Sequence, residues 1–383
     1  NFQEFYEQQT DVVIRDDAVS RYAARFAKEH GAEYTNSIAP LQFPLQFPSL
    51  QEEVNLLALK ELLMVGGMFE EAARTANQNN LNDVVLFGLI GAFLTESTLN
   101  ATFMRGLSAS DVASLFSLPT MQKEELPQEH QHGGLASCLT MEKRGALADY
   151  ADMIANTLYH AGAVLQENGH IDLSSLLEKE NLEDNETSLE LACRNLAAVI
   201  QSLDDRHFAS VKKGNDELMI ELPFLKNARR MVFSVFQKRH EHFKDANTST
   251  EQVYTKLSEM LPAPSVRTVN SLLSLGILER RDDVGADEMK VGEDIAENQG
   301  DVTGKSNSSS AIGKEVSMRC AAMVACWRLS ELIQQTAPGD MKVTPVQLSI
   351  FLDSLPTTGQ DDVRDSVCAS IEVFSPHETG QKW

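Results

Sequence analysis

The chain contains 383 residues, of which 42% are hydrophobic and 23% are charged, and this length can bury one large core or two ordinary ones. Its 56 acidic and 33 basic side chains give a net charge of -23, which argues against general nucleic-acid binding because phosphate backbones would be repelled. The most apolar stretch, "VVLFGLIGAFL" at residues 84–94, is shorter than the roughly 18 residues of a membrane span. It predicts buried core, and we expect no transmembrane segment.

Neither the cysteines nor the glycines form a recognised cofactor motif. The five cysteines are widely separated, with no CxxC pair and no Cys/His metal spacing, which favours a reducing compartment and no metal site. The chain has no P-loop and no dinucleotide fingerprint, so we expect no cofactor. The composition predicts a soluble protein, but the sequence does not identify its compartment. Because Asn1 is not an initiator methionine, an organelle matrix or stroma, after removal of a presequence, is one alternative.

Helical periodicity recurs along most of the chain, whereas period-2 alternation is scarce, and this predicts a mainly α fold. We interpret residues 1–383 as a single all-helical globular domain, with two subdomains as the alternative. The predicted helices, in chain order, are Asn1–Gln9, Asp16–Glu29, Leu50–Met64, Leu81–Phe93, Ser108–Phe116, Arg144–Gln166, Ser188–Leu203, Phe224–His242, Ser265–Leu278, Glu315–Gln335 and Thr344–Leu355.

Two segments have compositions that predict weak order. Residues 121–134, "MQKEELPQEHQHGG", predict a flexible polar loop. Residues 280–314 are acidic at first and then rich in Ser and Gly, so they cannot bury enough apolar area to offset chain entropy. Strong helical patterns resume on both sides of 280–314, and we therefore predict a long surface insertion there.

Three short stretches contain candidate functional residues. In "ELPFLKNARRMVFSVF", Lys226 and Arg230 are four residues apart, which fits either an anion clamp or, more commonly, a solvated basic face on a core helix. In "SLDDRHF", Asp204 belongs either to a paired-carboxylate site or to a polar turn that ends a helix. In "LPAPSVRTVNSLLSLGIL", Ser265 is placed to accept a hydrogen bond from a first-turn amide, and apolar residues follow at helical spacing.

The order of five such stretches resembles that of the queuosine salvage proteins, all-helical N-glycosylases that release queuine from queuosine 5'-phosphate. The stretch "FQEFYEQQTDVVIRDDAVSRYAARFA" is similar to the family's opening helix with "DVxI", and "FPLQFP" followed by "EEVNLLAL" is similar to its His-Pro-Leu-Asn-Pro turn with a Val-Asn helix. Further along, "ELPFLKNARRMVFSVF" is similar to the Phe-Tyr-Lys-Arg-Ala-Gln helix, and "PSVRTVNSLLSLGIL" is similar to the Phe-Ala-Asp-Tyr-Arg-Leu-Pro helix. Finally, "KEVSMRCAAMVACWRLSEL" is similar to the "EVEIRG" helix, and the five stretches occur in the same order as in the family. The resemblance extends from Phe2 to about Leu355 and implies the glycosylase fold.

The same resemblance implies that key catalytic side chains are missing. The family's Asp falls at Ser265 and its aromatic neighbour at Val266, whereas Arg267 is kept. The family's His falls at Phe43 or Phe47. Cleavage of an N-glycosidic bond passes through an oxocarbenium-like state that a nearby carboxylate stabilises, and a hydroxyl cannot replace that charge.

We therefore predict a catalytically degenerate member of this fold that acts as a binding or structural subunit of a larger assembly, with other proteins as its partners. The alternative is an active N-glycosylase that releases queuine or a related base from a nucleoside 5'-phosphate. In that alternative Lys226, Arg230 and Arg267 hold the phosphate, and Asp353 or Asp204 supplies the carboxylate.

Overall fold

The structure is a computed structural model that describes residues 2–9, 11–77, 80–96, 98–125, 140–182, 188–213, 216–242, 250–281, 307–336 and 342–355. These residues are mainly helical, which confirms the predicted fold class. The sixteen α-helices of the described residues, α1 to α16 in chain order, are Phe2–Gln8, Asp16–Glu29, Gly31–Ser37, Leu50–Leu62, Glu70–Asn77, Leu81–Glu96, Ala101–Gly106, Ala109–Leu115, Ala146–Glu167, Leu173–Lys179, Leu189–Val199, Lys226–His242, Thr250–Ser258, Val266–Ser274, Asn307–Thr336 and Pro345–Ser354.

Six strands accompany the helices and form three antiparallel pairs. The strands β1 to β6 are Val12–Ile14, Met121–Glu125, Thr140–Arg144, Arg206–Lys213, Asp216–Pro223 and Leu278–Arg280. The pairs are β1 with β6, β2 with β3, and β4 with β5. No helix in the described ranges combines the length and the apolar character of a membrane span.

The chain divides into two compact units, whereas the sequence favoured a single domain. The first unit comprises the described parts of Asn1–Pro40, Asp205–Arg229 and Asp245–Trp383, and the second those of Leu41–Asp204 and Arg230–Lys244. Helix α12 contributes its first four residues to the first unit and the remainder to the second.

The core of the first unit is built around α15, against which α1, α2, α14 and α16 pack. Alanine and cysteine side chains on α15, such as Ala321, Ala325 and Cys326, are fully buried and let the neighbouring helices approach closely. Phe26 and Phe351 make an edge-to-face contact with ring centroids 5.6 Å apart, which joins α2 to α16. The short pair β1–β6 closes one side of this core through the partners Val12 and Arg280.

The core of the second unit is built around α9, which packs against α7 and α8, while α4 packs against α6 and α10. Gly162 permits the close approach of α9 to α7, because a Cβ atom there would lie 2.7 Å from the carbonyl oxygen of Ala101. The buried amide of Asn55 on α4 donates to the Leu99 carbonyl over 2.9 Å and accepts from the Leu173 N–H over 3.1 Å. These bonds join α4 to the segments that begin α7 and α10.

All eleven predicted helices are present, but the chain is not entirely helical. The β4–β5 hairpin was missed because its exposed positions hold apolar residues such as Phe208 and Met219, which obscure the alternation. Strand β2 covers the first five residues of the loop predicted at 121–134, and residues 126–134 lie outside the described part. In the predicted insertion at 280–314, α15 begins at Asn307 rather than at Glu315, and residues 282–306 are not described.

Substitution of Gly88 tests the packing of α6 in the second unit. A Cβ atom at Gly88 would lie 2.4 Å from the ring of Phe116, so we expect Gly88→Ala to destabilise the unit by about 1–3 kcal/mol despite the better helix propensity of Ala. Gly91→Ala is the matched control, because the nearest atom to its new Cβ is the Leu115 carbonyl oxygen at 3.9 Å. Hydrogen exchange of α6 amides, followed by mass spectrometry, should accelerate in Gly88→Ala only. Equal exchange in the two variants would contradict the packing.

Candidate functional site

The start of α14 is a fully formed helix cap. Ser265 has extended backbone angles, and its Oγ accepts hydrogen bonds from the backbone N–H groups of Arg267 (3.0 Å) and Thr268 (3.3 Å). The Thr268 Oγ1 in turn accepts from the Ser265 N–H over 3.1 Å, which completes a capping box. The capping role predicted for Ser265 is thereby confirmed.

The hydroxyl of Ser265 has a second role, since it donates a short hydrogen bond to the Asp353 Oδ1. Asp353 lies near the end of α16, which packs against α14. A carboxylate from α16 therefore lies beside the residue to which the family resemblance assigns the catalytic Asp. Ser265 and Asp353, two of the six site residues named from the sequence, are thus in direct contact although 88 residues separate them in the chain.

Further hydroxyl bonds fix the register between α14 and α16. The Ser271 Oγ donates to the Leu352 carbonyl over 2.7 Å, and the Ser349 Oγ accepts from the Ala263 N–H over 2.9 Å. The Thr268 Oγ1 lies 3.3 Å from the Ser349 carbonyl oxygen. Because Ser271 and Ser349 are buried, these bonds hold Asp353 at a fixed position relative to Ser265. We name this arrangement of Ser265, Asp353 and their hydroxyl neighbours the α14–α16 seam.

The predicted phosphate ligands are distributed over both units. Lys226 and Arg267 are half-buried and belong to the first unit, as the first residue of α12 and a first-turn residue of α14. Arg230 belongs to the second unit, where its Nε lies 3.3 Å from the Glu61 Oε2. Asp204 follows a 3-10 turn in the second unit, and its N–H donates to the Gln201 carbonyl, in agreement with the polar-turn interpretation.

Arg230 is held within a buried cluster of charges. The Glu61 side chain is only 4% exposed, and it contacts the Lys60 Nζ at 2.7 Å in addition to Arg230. Burial by itself would raise the pKa of the Glu61 carboxyl, but the charges of Lys60 and Arg230 outweigh burial and lower it. A guanidinium that compensates a buried carboxylate cannot leave it for a phosphate without a large cost in free energy.

A second cluster of charges, whose pairing across the chain the sequence did not predict, joins the β4–β5 hairpin to α15 in the first unit. Asp205 receives two hydrogen bonds from the guanidinium of Arg319, one of them with an Nη1–Oδ1 distance of 3.0 Å. The Nε2 of His207 lies 3.4 Å from the same carboxylate. The Arg319 guanidinium also stacks over the Phe224 ring at 4.1 Å from its centroid. We name Asp205, His207, Glu315 and Arg319 the Arg319 cluster.

The two carboxyl groups of the Arg319 cluster differ in their electrostatics. Burial would raise the pKa of Asp205, but the charge of Arg319 and the hydrogen bonds from His207 and Arg319 hold it well below its usual range. Glu315 lies 3.7 Å from Arg319, and there burial dominates and raises the pKa of the carboxyl. Asp205 and His207 belong to the stretch "SLDDRHF", for which the sequence offered a paired-carboxylate site as one alternative, but nothing in the sequence paired them with the Arg of "VSMRCAAMVAC".

Within the described residues we find neither a reactive cysteine nor a cluster of potential metal ligands. Cys193, Cys320 and Cys326 are free and buried. Burial raises the pKa of both Cys320 and Cys326 to about 12, so these thiols stay protonated and serve packing. No group of three His, Cys, Asp or Glu side chains in the described ranges could hold a metal ion.

Searches against protein-family models and against curated protein sequences find no match to this chain. The resemblance to the queuosine salvage proteins stays a prediction.

The Arg319 cluster predicts unequal losses of stability on neutralising its two carboxyl groups. At pH 7 we expect Asp205→Asn to cost about 2–4 kcal/mol of unfolding free energy, because it leaves the Arg319 charge without its compensating anion. Glu315→Gln should change it by less than about 1 kcal/mol, since a neutral amide avoids the burial penalty of the carboxylate. Urea unfolding followed by Trp327 fluorescence, in a Trp383→Phe background, measures both effects.

The same cluster predicts an acid dependence of stability. The folded-state pKa of Asp205 is lowered, so its contribution is complete above the unfolded value of about 4 and decreases as the pH falls below it. We expect unfolding free energy between pH 5 and pH 2 to fall less steeply in Asp205→Asn than in the wild type. Parallel pH profiles would contradict the assignment of Asp205 as the anion that holds Arg319.

Proposed function

We propose that this chain is a catalytically degenerate member of the queuosine salvage glycosylase fold and acts as a binding or structural subunit of a larger assembly. The observation that carries the proposal is the hydrogen bonding of Ser265. Its hydroxyl caps α14 and donates to Asp353, so the position of the family's catalytic carboxylate is occupied by a group with a structural role. An organelle matrix or stroma stays a prediction for its location.

Two further features support loss of the reaction. The phosphate ligand proposed at Arg230 compensates the buried carboxylate of Glu61. The resemblance places the family's His at Phe43 or Phe47, whose rings meet edge to face with centroids 5.4 Å apart, and Phe47 packs in turn on Phe93 of α6 at 5.1 Å. Apolar rings there cannot accept or donate the protons that base departure requires.

The degenerate assignment predicts that the purified protein releases no queuine from queuosine 5'-phosphate. Because Ser265 cannot stabilise a cationic sugar, release over several hours should equal that of a heat-denatured sample. Product analysis by liquid chromatography and mass spectrometry measures this, with an active member of the family as the positive control. Enzyme-like turnover that scales with protein concentration would contradict the assignment.

A second candidate function is an active N-glycosylase with a relocated carboxylate. One observation favours it, because the hydrogen bond to Ser265 brings the Asp353 carboxylate to the start of α14, beside Arg267. In this candidate Asp353 stabilises the oxocarbenium-like state, and Lys226 and Arg267 of the same unit hold the phosphate.

Replacing each candidate carboxylate in turn tests the second function. If a nucleoside 5'-phosphate is cleaved, Asp353→Asn should reduce kcat at least 100-fold, because it removes the charge that develops against the sugar. Asp204→Asn is the matched control and should leave kcat within about twofold, since Asp204 follows a helical turn in the other unit. Equal losses in both variants, with both still folded by circular dichroism, would rule out a specific role for Asp353.

A further inference from the structure

The outer face of α6 is apolar and is left open by the residues that the structure describes, although its sequence predicts buried core. One side of the helix is buried through Val84, Val85 and Leu89. On the other side Phe87 is 59% exposed and Leu94 is 68% exposed. A helix that is apolar on all sides is normally covered on all sides. The expectation of a buried segment therefore holds for one face of α6 only.

The exposed side chains form a continuous stripe. Phe87, Ile90 and Leu94 follow one another at spacings of three and four residues, and together with Gly91 they define what we call the α6 outer face. Ile90 and Gly91 are half-buried, and a Cβ atom at Gly91 would meet its nearest neighbour only at 3.9 Å. Such anchors at i, i+3 and i+7 are the pattern by which helices dock against apolar surfaces of a partner.

The apolar surface extends beyond the helix. Phe93 is half-buried and contacts the ring of Phe47, which contacts that of Phe43, and all three belong to the second unit. These rings lie beside the stripe because Phe93 directly precedes Leu94. Contiguous exposed apolar patches rimmed by polar residues mark interaction sites on soluble proteins.

The charges around the α6 outer face select the kind of partner. Residues 81–96 contain no Lys or Arg, and Asp83, four residues before Phe87, lies on the side of the α6 outer face, whereas Glu96, nine residues after Phe87, lies on the opposite side. The neighbouring helix α5 adds Glu71, which is exposed. A second copy of this chain, with its net charge of -23, would bring the same acidic rim against itself, and an anionic lipid surface would be repelled as well.

We propose that the α6 outer face binds an amphipathic helix of another protein, whose apolar stripe covers Phe87, Ile90 and Leu94 and whose flanking Lys or Arg side chains face Asp83. Gly91 lets the two helices approach closely at the centre of the contact. The basic flanks supply the charge complementarity that orients the partner. This inference rests on the binding role proposed above and names the chemistry of the partner.

The test uses the full chain and a fluorescein-labelled 18-residue synthetic helix with a Leu stripe and Lys flanks, and fluorescence anisotropy reports its binding. We expect saturable binding that weakens at least tenfold in Phe87→Ser/Leu94→Ser. Leu218→Ser/Met219→Ser is the matched control, because it also removes two exposed apolar side chains, from the β4–β5 hairpin, and it should keep the Kd within twofold. A peptide with the same Lys flanks and a Ser stripe should bind at least tenfold more weakly than the Leu peptide.

Four outcomes would overturn the proposal. They are unchanged binding in the Phe87→Ser/Leu94→Ser variant, equal losses in that variant and the hairpin control, a dimer in sedimentation velocity that only the α6 variant dissociates, and flotation with phosphatidylserine-containing vesicles. Circular dichroism confirms folding of each variant, and folding should persist because the replaced side chains are exposed. Queuine release is measured separately, so failure of the α6 contact and failure of the degenerate assignment are distinguishable.

Discussion

Compensation of the buried Arg319 charge is the constraint on which the arrangement of the first unit depends. Its guanidinium emerges from a helix of mostly apolar and small residues, with its side chain 14% exposed. A charge in such a setting requires a partner with matching geometry, and Asp205 provides it at the residue that precedes β4. The ion pair and the stacking over Phe224 thereby fix the hairpin against α15. This cluster joins segments more than one hundred residues apart in sequence.

The α14–α16 seam shows how one hydroxyl can serve structure where a related fold would require a reacting charge. Ser265 satisfies two amide groups at the start of a helix and also binds Asp353. Both partners of each of these bonds lie inside the first unit. These hydrogen bonds favour a structural role for Ser265. The position of Asp353 is the observation on which the second candidate function, an active N-glycosylase, depends. The difference between the two functions is whether that carboxylate only holds α14 or also faces a sugar.

The exposed apolar side chains of α6 are the distinctive feature of the second unit. The buried carboxylate of Glu61 is paired with Lys60 and Arg230, and the thiol of Cys193 is buried. The α6 outer face, by contrast, exposes large apolar side chains that the described residues do not cover. Exposed apolar area of this kind has a cost in water that a partner helix would remove. The proposed binding role rests on this exposed apolar area.

The sequence by itself determined the helical class, the positions of eleven helices and the cap at Ser265, because periodicity and capping depend on neighbouring residues. It did not determine the β4–β5 hairpin, whose exposed apolar residues hide the alternation, or the pairing of Arg319 with Asp205. Nor did it determine that Asp353 binds Ser265, or that one face of α6 is open. Only the tertiary structure decided these, since each depends on which distant segments come into contact and on which surfaces remain uncovered.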